Sequence, residues 1–352
     1  MPRHDPRVTA AESGRLFFVG IPGLRLDPAT RRVLERLHVG GVILFRRNFD
    51  TPAQIAELTA ALHALPSQPL VGIDHEGGRV LRLGEPFTQF PPAARVGRGG
   101  DATLAFRVGQ AMAAELRSVG IDLNFAPVLD VHSNPANPII GDRAFSSDPE
   151  VVSQCGIAMM RGLLAGGVIP CGKHFPGHGD TVADSHRELP VVRRSRAELE
   201  RTELRPFRAA IAADIPMLMT AHVLYPALDP TGPATVSTAI LTDLLRTELR
   251  FAGVIVSDDL EMRAIADRQT IAAAAVATLR AGADALLVCQ DLRQAALAVR
   301  AVARGVGDGA LPATVVRAAL TRLGRLRQLR PGGSPLPCAL PSATHRALAR
   351  SC

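Results

Sequence analysis

Short apolar runs recur along the chain, separated by longer stretches whose apolar residues return every three to four positions. The runs cover residues 15–20, 41–45, 69–73, 121–128, 168–173, 216–222, 253–256 and 283–289. Each is close to continuous in apolar residues rather than alternating, the pattern of a strand covered on both faces. The stretches between them predict helices over 27–37, 52–65, 102–119, 149–164, 196–213, 239–249 and 270–281, with further helix within 292–329. Asp27 is placed to cap the first of these, with Pro28 at its first helical position. Strand followed by helix, repeated along the chain, predicts parallel βαβ units, and eight such units close as an α/β (β/α)8 TIM barrel. A single domain over residues 1–330 is expected, with a loosely packed tail over 331–352, which opens rich in Gly, Pro and Ser. The rival is an open, doubly wound sheet. It would carry a glycine-rich phosphate turn after its first strand, and Ile21-Pro22-Gly23 is not one.

In a barrel of this kind the chemistry sits at the C-terminal ends of the strands. Polar residues fall there repeatedly: Asp74 after the third run, Arg82 a few residues on, Arg143 after the fourth, Lys173 and His174 at the fifth, His222 at the sixth and Asp258 at the seventh. The densest stretch is 173–190, KHFPGHGDTVADSHRELP, with His174, His178, Asp180, Asp184 and His186. Pro176, Gly177 and Gly179 keep it out of regular structure, and a loop hinged on such residues is expected to move. From spacing alone two chemistries compete there. Histidine and aspartate are common metal ligands. Alternatively, Asp184 polarises His186 for proton transfer, while an ionised aspartate elsewhere on the rim attacks an acetal carbon.

Composition narrows the classes. The formal charge of +7 favours anionic partners. One Tyr and no Trp argue against stacking platforms for nucleic acid. The cysteines, 155, 171, 289, 338 and 352, are odd in number and show no CxxC pair, so a reducing compartment fits best. The N-terminal residues lack an apolar signal core, and no run of 18 apolar residues exists. A cytoplasmic protein with no membrane partner is expected.

KHFPGHGDTVADSH resembles the signature of the family 3 glycoside hydrolases, in their single-domain β-N-acetylglucosaminidase branch. GVIVSDDLEM is similar to that family's nucleophile strand, and GIDHEGGRV, NFAPVLDV and IIGDRAF resemble its other blocks in the same order. The resemblance spans roughly residues 14–330 and implies a retaining exo-β-N-acetylglucosaminidase. The implied substrate is β-linked GlcNAc on 1,6-anhydro-MurNAc, with or without a peptide stem, in peptidoglycan recycling. Asp258 then corresponds to the nucleophile, His186 to the acid/base and Asp184 to its partner. Asp74, Arg82, Arg143, Lys173 and His174 correspond to the sugar-binding set. Two-domain relatives take their acid from a glutamate on a second domain; here the acid is expected from the barrel itself. No metal and no organic cofactor are implied. The expected partner is a saccharide or muropeptide, and the chain is expected to act as a monomer.

Competing assignments stand beside these. Asp259 neighbours Asp258, and His178 is a second imidazole in the loop. Glu76 reads as an acceptor for backbone or arginine, His222 as a residue behind the rim, and Asp130 as a loop anchor. His75 stands where the family pattern has glutamine. A metal-dependent hydrolase and a non-catalytic sugar-binding protein are the functional alternatives, and phosphate in place of water is a possible acceptor.

Overall fold

The structure, a computed structural model, describes residues 8–185, 187–331 and 338–352. Nine parallel strands form one sheet: β1 Phe17–Gly20, β2 Gly41–Leu44, β3 Leu70–Ile73, β4 Leu123–Asn124, β5 Ile169–Pro170, β6 Gly172–Phe175, β7 Met217–Thr220, β8 Val254–Asp259 and β9 Ala285–Val288. The ladder runs β5-β4-β3-β2-β1-β9-β8-β7-β6. β5 and β6 are halves of one stave interrupted at Cys171. β5 pairs with β4 (Leu123 with Ile169), and β6 pairs with β7 (Gly172 with Leu218). The two ends of the ladder are therefore contiguous in the chain, and the sheet closes as the eight-staved barrel that the apolar runs predict. Every residue of β1, β2, β3, β6, β7 and β9 is buried, as strands with two covered faces require.

The structure departs from the sequence reading in three elements. The fourth run pairs only at Leu123–Asn124, with one further bridge between Val128 and Lys173. Pro127 has no N–H to give to a ladder, so the stave is broken there. The expected helix over 196–213 is two helices, Arg196–Arg201 and Leu204–Ala212. In one continuous helix Pro206 would leave the Thr202 carbonyl without a donor; breaking at Thr202 puts the proline in a first turn, where its missing N–H costs nothing. In the tail, a helix Ala343–Ser351 lies against helix Ala102–Ser118. Leu348 is buried, and the His345 ring is 2.8 Å from Glu115. Residues 332–337 of the tail lie outside the described residues.

Ion pairs close the N-terminal ends of the staves. Asp284, just before β9, is held by Arg246 and by Arg322 at 2.8 Å. Asp122, just before β4, is 2.8 Å from His63 and 2.9 Å from Arg330. Those charges are spent on structure, which leaves the opposite rim for chemistry. Among the described residues no helix is long and apolar enough to cross a membrane.

Candidate active site

At the C-terminal rim a cavity of about 230 Å3 is lined by Asp74, Arg82, Arg143, Lys173, His174 and Asp258. Six of the eight residues singled out by sequence thus face one space. They arrive from five places: Asp74 follows β3, Arg82 follows a short antiparallel hairpin (His75–Gly77 with Val80–Leu81), Arg143 ends the turn Gly141–Arg143, Lys173 and His174 are in β6, and Asp258 is in β8. Asp184 does not line the cavity, although the adjacent Ser185 does. His186 lies outside the described residues.

A buried charge network organises one wall. Glu76 accepts a two-pronged bond from Arg143, Nε at 2.9 Å and Nη2 at 2.8 Å. Lys173 Nζ reaches Glu76 at 2.6 Å and Asp74 at 2.7 Å. Burial opposes the ionisation of Glu76, but the Arg143 and Lys173 charges outweigh it and hold the carboxyl far below its ordinary range. Burial likewise opposes the charge of Lys173, and Asp74 with Glu76 raise it above the usual lysine value. Lysine has three N–H donors, and two are used here, leaving one for a ligand hydroxyl. Arg82 stands 3.6 Å from Asp74 and 5.8 Å over the Phe45 ring. Its Nε is buried and has no hydrogen-bond partner among the described residues. Carboxylates beside cations of this kind grip sugar hydroxyls directionally, the former accepting and the latter donating.

The loop after β6 is fastened by Asp130. This fully buried carboxylate takes the His174 ring at 2.7 Å and the backbone N–H groups of His174 and His178 at 3.1 and 2.7 Å. The His178 ring is also buried, with its nitrogens 2.9 Å from the Thr181 hydroxyl and 3.2 Å from that of Ser185. Two anchors were not legible as such in the sequence. Asn137 donates to the carbonyls of His178 and Gly179, and Tyr225 donates its hydroxyl to Gly177 O at 2.6 Å. Tyr225 is the single tyrosine of the chain, a compositional oddity that could have drawn notice. Farther along, Ser185 O accepts the Ala264 N–H at 3.3 Å, which ties the loop to the segment after β8. The Asp184 carboxylate is 3.8 Å from the exposed Arg187 guanidinium.

On β8, Asp258 Oδ1 accepts the N–H of Asp259 at 2.8 Å. The Asp259 carboxyl accepts N–H groups from Glu261 and Cys289 at 3.1 and 3.2 Å. Burial pushes it up to about 7, against those backbone donors and with the help of the Glu261 and Asp258 charges. Asp258 and Asp259 thus sit in different surroundings although they are sequence neighbours. Among the described residues no three His, Cys, Asp or Glu side chains are placed to hold a metal ion.

A closed barrel with a polar, carboxylate-bearing cavity at its C-terminal rim is the frame of an enzyme, and likeness to known proteins gives its class, a glycoside hydrolase. The profile of the glycosyl hydrolase family 3 N-terminal domain matches residues 11–326, and the chain belongs to that family, as an enzyme of the β-hexosaminidase type. A β-hexosaminidase of Nitrosomonas eutropha is 44% identical over 282 residues, 78% of this chain and 80% of that one. The structure of a family 3 β-N-acetylglucosaminidase from a Paenibacillus species matches with a TM-score of 0.95 at 38% identity, covering 98% of this chain and 68% of that chain. NagZ from Neisseria gonorrhoeae, solved in complex with N-trifluoroacetyl-D-glucosamine, matches with a TM-score of 0.75 at 35% identity, covering 90% of this chain and 98% of that chain.

Proposed function

We propose that this chain is a retaining exo-β-N-acetylglucosaminidase acting in the cytoplasm on GlcNAc-1,6-anhydro-MurNAc, with or without its peptide, during peptidoglycan recycling. The observation that carries the reading is the shared cavity: Asp258 lines the same space as Asp74, Arg82, Arg143, Lys173 and His174. The GlcNAc-like ligand of the Neisseria gonorrhoeae relative supports the sugar. Five free cysteines support a reducing compartment.

In this reading Asp258 attacks the anomeric carbon, forming a C–O ester bond as the glycosidic C–O bond breaks. The His186 imidazolium gives its proton to the departing oxygen. The neutral imidazole then takes a proton from water, whose oxygen attacks the same carbon and frees Asp258, so configuration is retained. Asp184 steadies the charged imidazole. Asp74, Arg82, Arg143, Lys173 and His174 hold the sugar. Ser185 supports the placement of this loop, since it reaches the cavity that Asp258 lines.

Replacing Asp258 by Ala tests the reading. Turnover of an aryl β-GlcNAc should fall by at least about 10³-fold with the fold intact by circular dichroism, as expected when a covalent nucleophile is removed. Wild-type turnover in that variant would refute it.

A further inference from the structure

β8 ends in two aspartates, and the second is held from both neighbouring staves. Two residues after β7, His222 Nε2 lies 2.9 Å from the Asp259 carbonyl. Directly after β9, the Cys289 N–H bonds the Asp259 carboxyl, and the Glu261 N–H adds a second bond to the same oxygen. Asp259 in turn directs its own N–H at Asp258 Oδ1. His222 is fully buried and is not among the residues that line the cavity.

The hydrogen-bond chemistry fixes the tautomer of that ring. A carbonyl oxygen only accepts, so Nε2 carries the hydrogen. In the neutral ring Nδ1 is then an acceptor, and its neighbour is the Thr235 hydroxyl at 2.7 Å. Thr235 is also fully buried and lies 2.8 Å from the Thr220 hydroxyl, which can supply it with a hydrogen in turn. The Thr235 hydroxyl has one hydrogen and two acceptors in reach, His222 Nδ1 at 2.7 Å and the Ala221 carbonyl at 3.1 Å. Given to the nearer Nδ1, it completes a chain from Thr220 through Thr235 and His222 to the Asp259 carbonyl, and the Asp259 N–H runs on to Asp258. The Asp259 carbonyl also accepts the Met262 N–H at 3.0 Å, so both of its lone pairs are engaged.

We propose that His222, oriented by Thr235, is a positioning residue for the nucleophile: it locks the backbone of Asp259 so that the N–H of that residue sets the plane of the Asp258 carboxylate. The inference rests on Asp258 being the nucleophile. A nucleophile must meet the anomeric carbon within a narrow cone, and a displacement near 1 Å costs on the order of 100-fold in rate. Loss of the bracket should therefore slow bond making and leave sugar binding alone.

The test compares His222→Leu, His222→Gln and Asp258→Ala on an aryl β-GlcNAc, with GlcNAc affinity measured by calorimetry. His222→Leu should lower kcat on the order of 10- to 100-fold, while KM and GlcNAc affinity stay within about 3-fold. His222→Gln, whose amide N–H has a similar reach, should recover most of the rate. If the leucine variant fails to fold, Thr235→Val carries the same test; it removes the hydroxyl that meets Nδ1, together with its bonds to Thr220 and the Ala221 carbonyl, and should give a several-fold loss of kcat at unchanged KM. A folded variant with wild-type kcat, a loss matched by equal loss of GlcNAc affinity, or no recovery with Gln overturns the proposal. If Asp258→Ala is inactive while His222→Leu is normal, only the bracket fails. If Asp258→Ala stays active, the nucleophile assignment fails and the bracket with it.

Discussion

His75 and His178 are imidazoles kept neutral by burial. Desolvation brings His75 down to about 3, with Arg82 adding to the shift. It brings His178 to about 4, helped by the His174 charge and opposed by Asp130. In the unfolded chain both rings take up a proton near ~6.5. Between that value and 3–4 the unfolded state binds more protons, so stability falls as pH drops through this window and is flat above it. At pH 5 each ring costs about 2 kcal/mol. Glu76 acts lower: its depressed carboxyl contributes stability that is complete above its unfolded value and lost only in stronger acid. Replacing His75 by Gln leaves the backbone bonds of residue 75 with Asn124 untouched, because both use main-chain atoms of residue 75. The urea midpoint of that variant should change less between pH 7.5 and pH 5 than that of the parent. An unchanged pH difference would mean that His75 is not held neutral in the fold.

The loop over residues 175–190 is expected to move, hinged on its glycines and proline. The structure divides it. Residues 176–179 are buried, and the stretch through Thr181 is tied by Asp130, Asn137 and Tyr225 to the rest of the rim, whereas Val182 is exposed. Gly179 shows how close the fit is, since a Cβ there would stand 1.6 Å from the Val131 carbonyl oxygen. Gly179→Ala must therefore push the loop off the 130–137 segment, at a cost of roughly 1–3 kcal/mol or more. Activity on an aryl β-GlcNAc should drop at least about 10-fold even where the barrel stays folded, because the segment carrying Asp184 is displaced. Near-normal activity in a folded Gly179→Ala protein would show that the anchored half does not set the reactive geometry. The same loop marks the limit of what the sequence discloses. Strands were legible because covering both faces imposes an unbroken apolar run, and the rim residues followed from where those runs stop. The anchors Asn137 and Tyr225 were not, because they meet their partners across 41 and 48 positions of chain. No local pattern encodes that meeting. Asp258 and Asp259 are alike in residue type, and spacing does not separate them; their different surroundings come from the staves on either side.

Across the whole molecule, barrel closure decides how a polymer can enter. The floor of the cavity is barrel interior, where Ile43, Met219 and Leu287 fill the space between staves. Phe45 and Arg82 stand at its wall. Its volume of about 230 Å3 lies below the ~300–1,000 Å3 typical of sites for larger ligands, and suits one sugar ring rather than two. A groove open at both ends would let a chain lie across the nucleophile and be cut internally. A pit with a packed floor admits only a chain end. A GlcNAc oligomer labelled at its reducing end should then shorten by one residue at a time, with free GlcNAc the only unlabelled product at early times. Chromatography of the first few per cent of reaction checks this. Release of unlabelled disaccharide at that stage would require a second ring inside the pit, for which the closed barrel leaves no space.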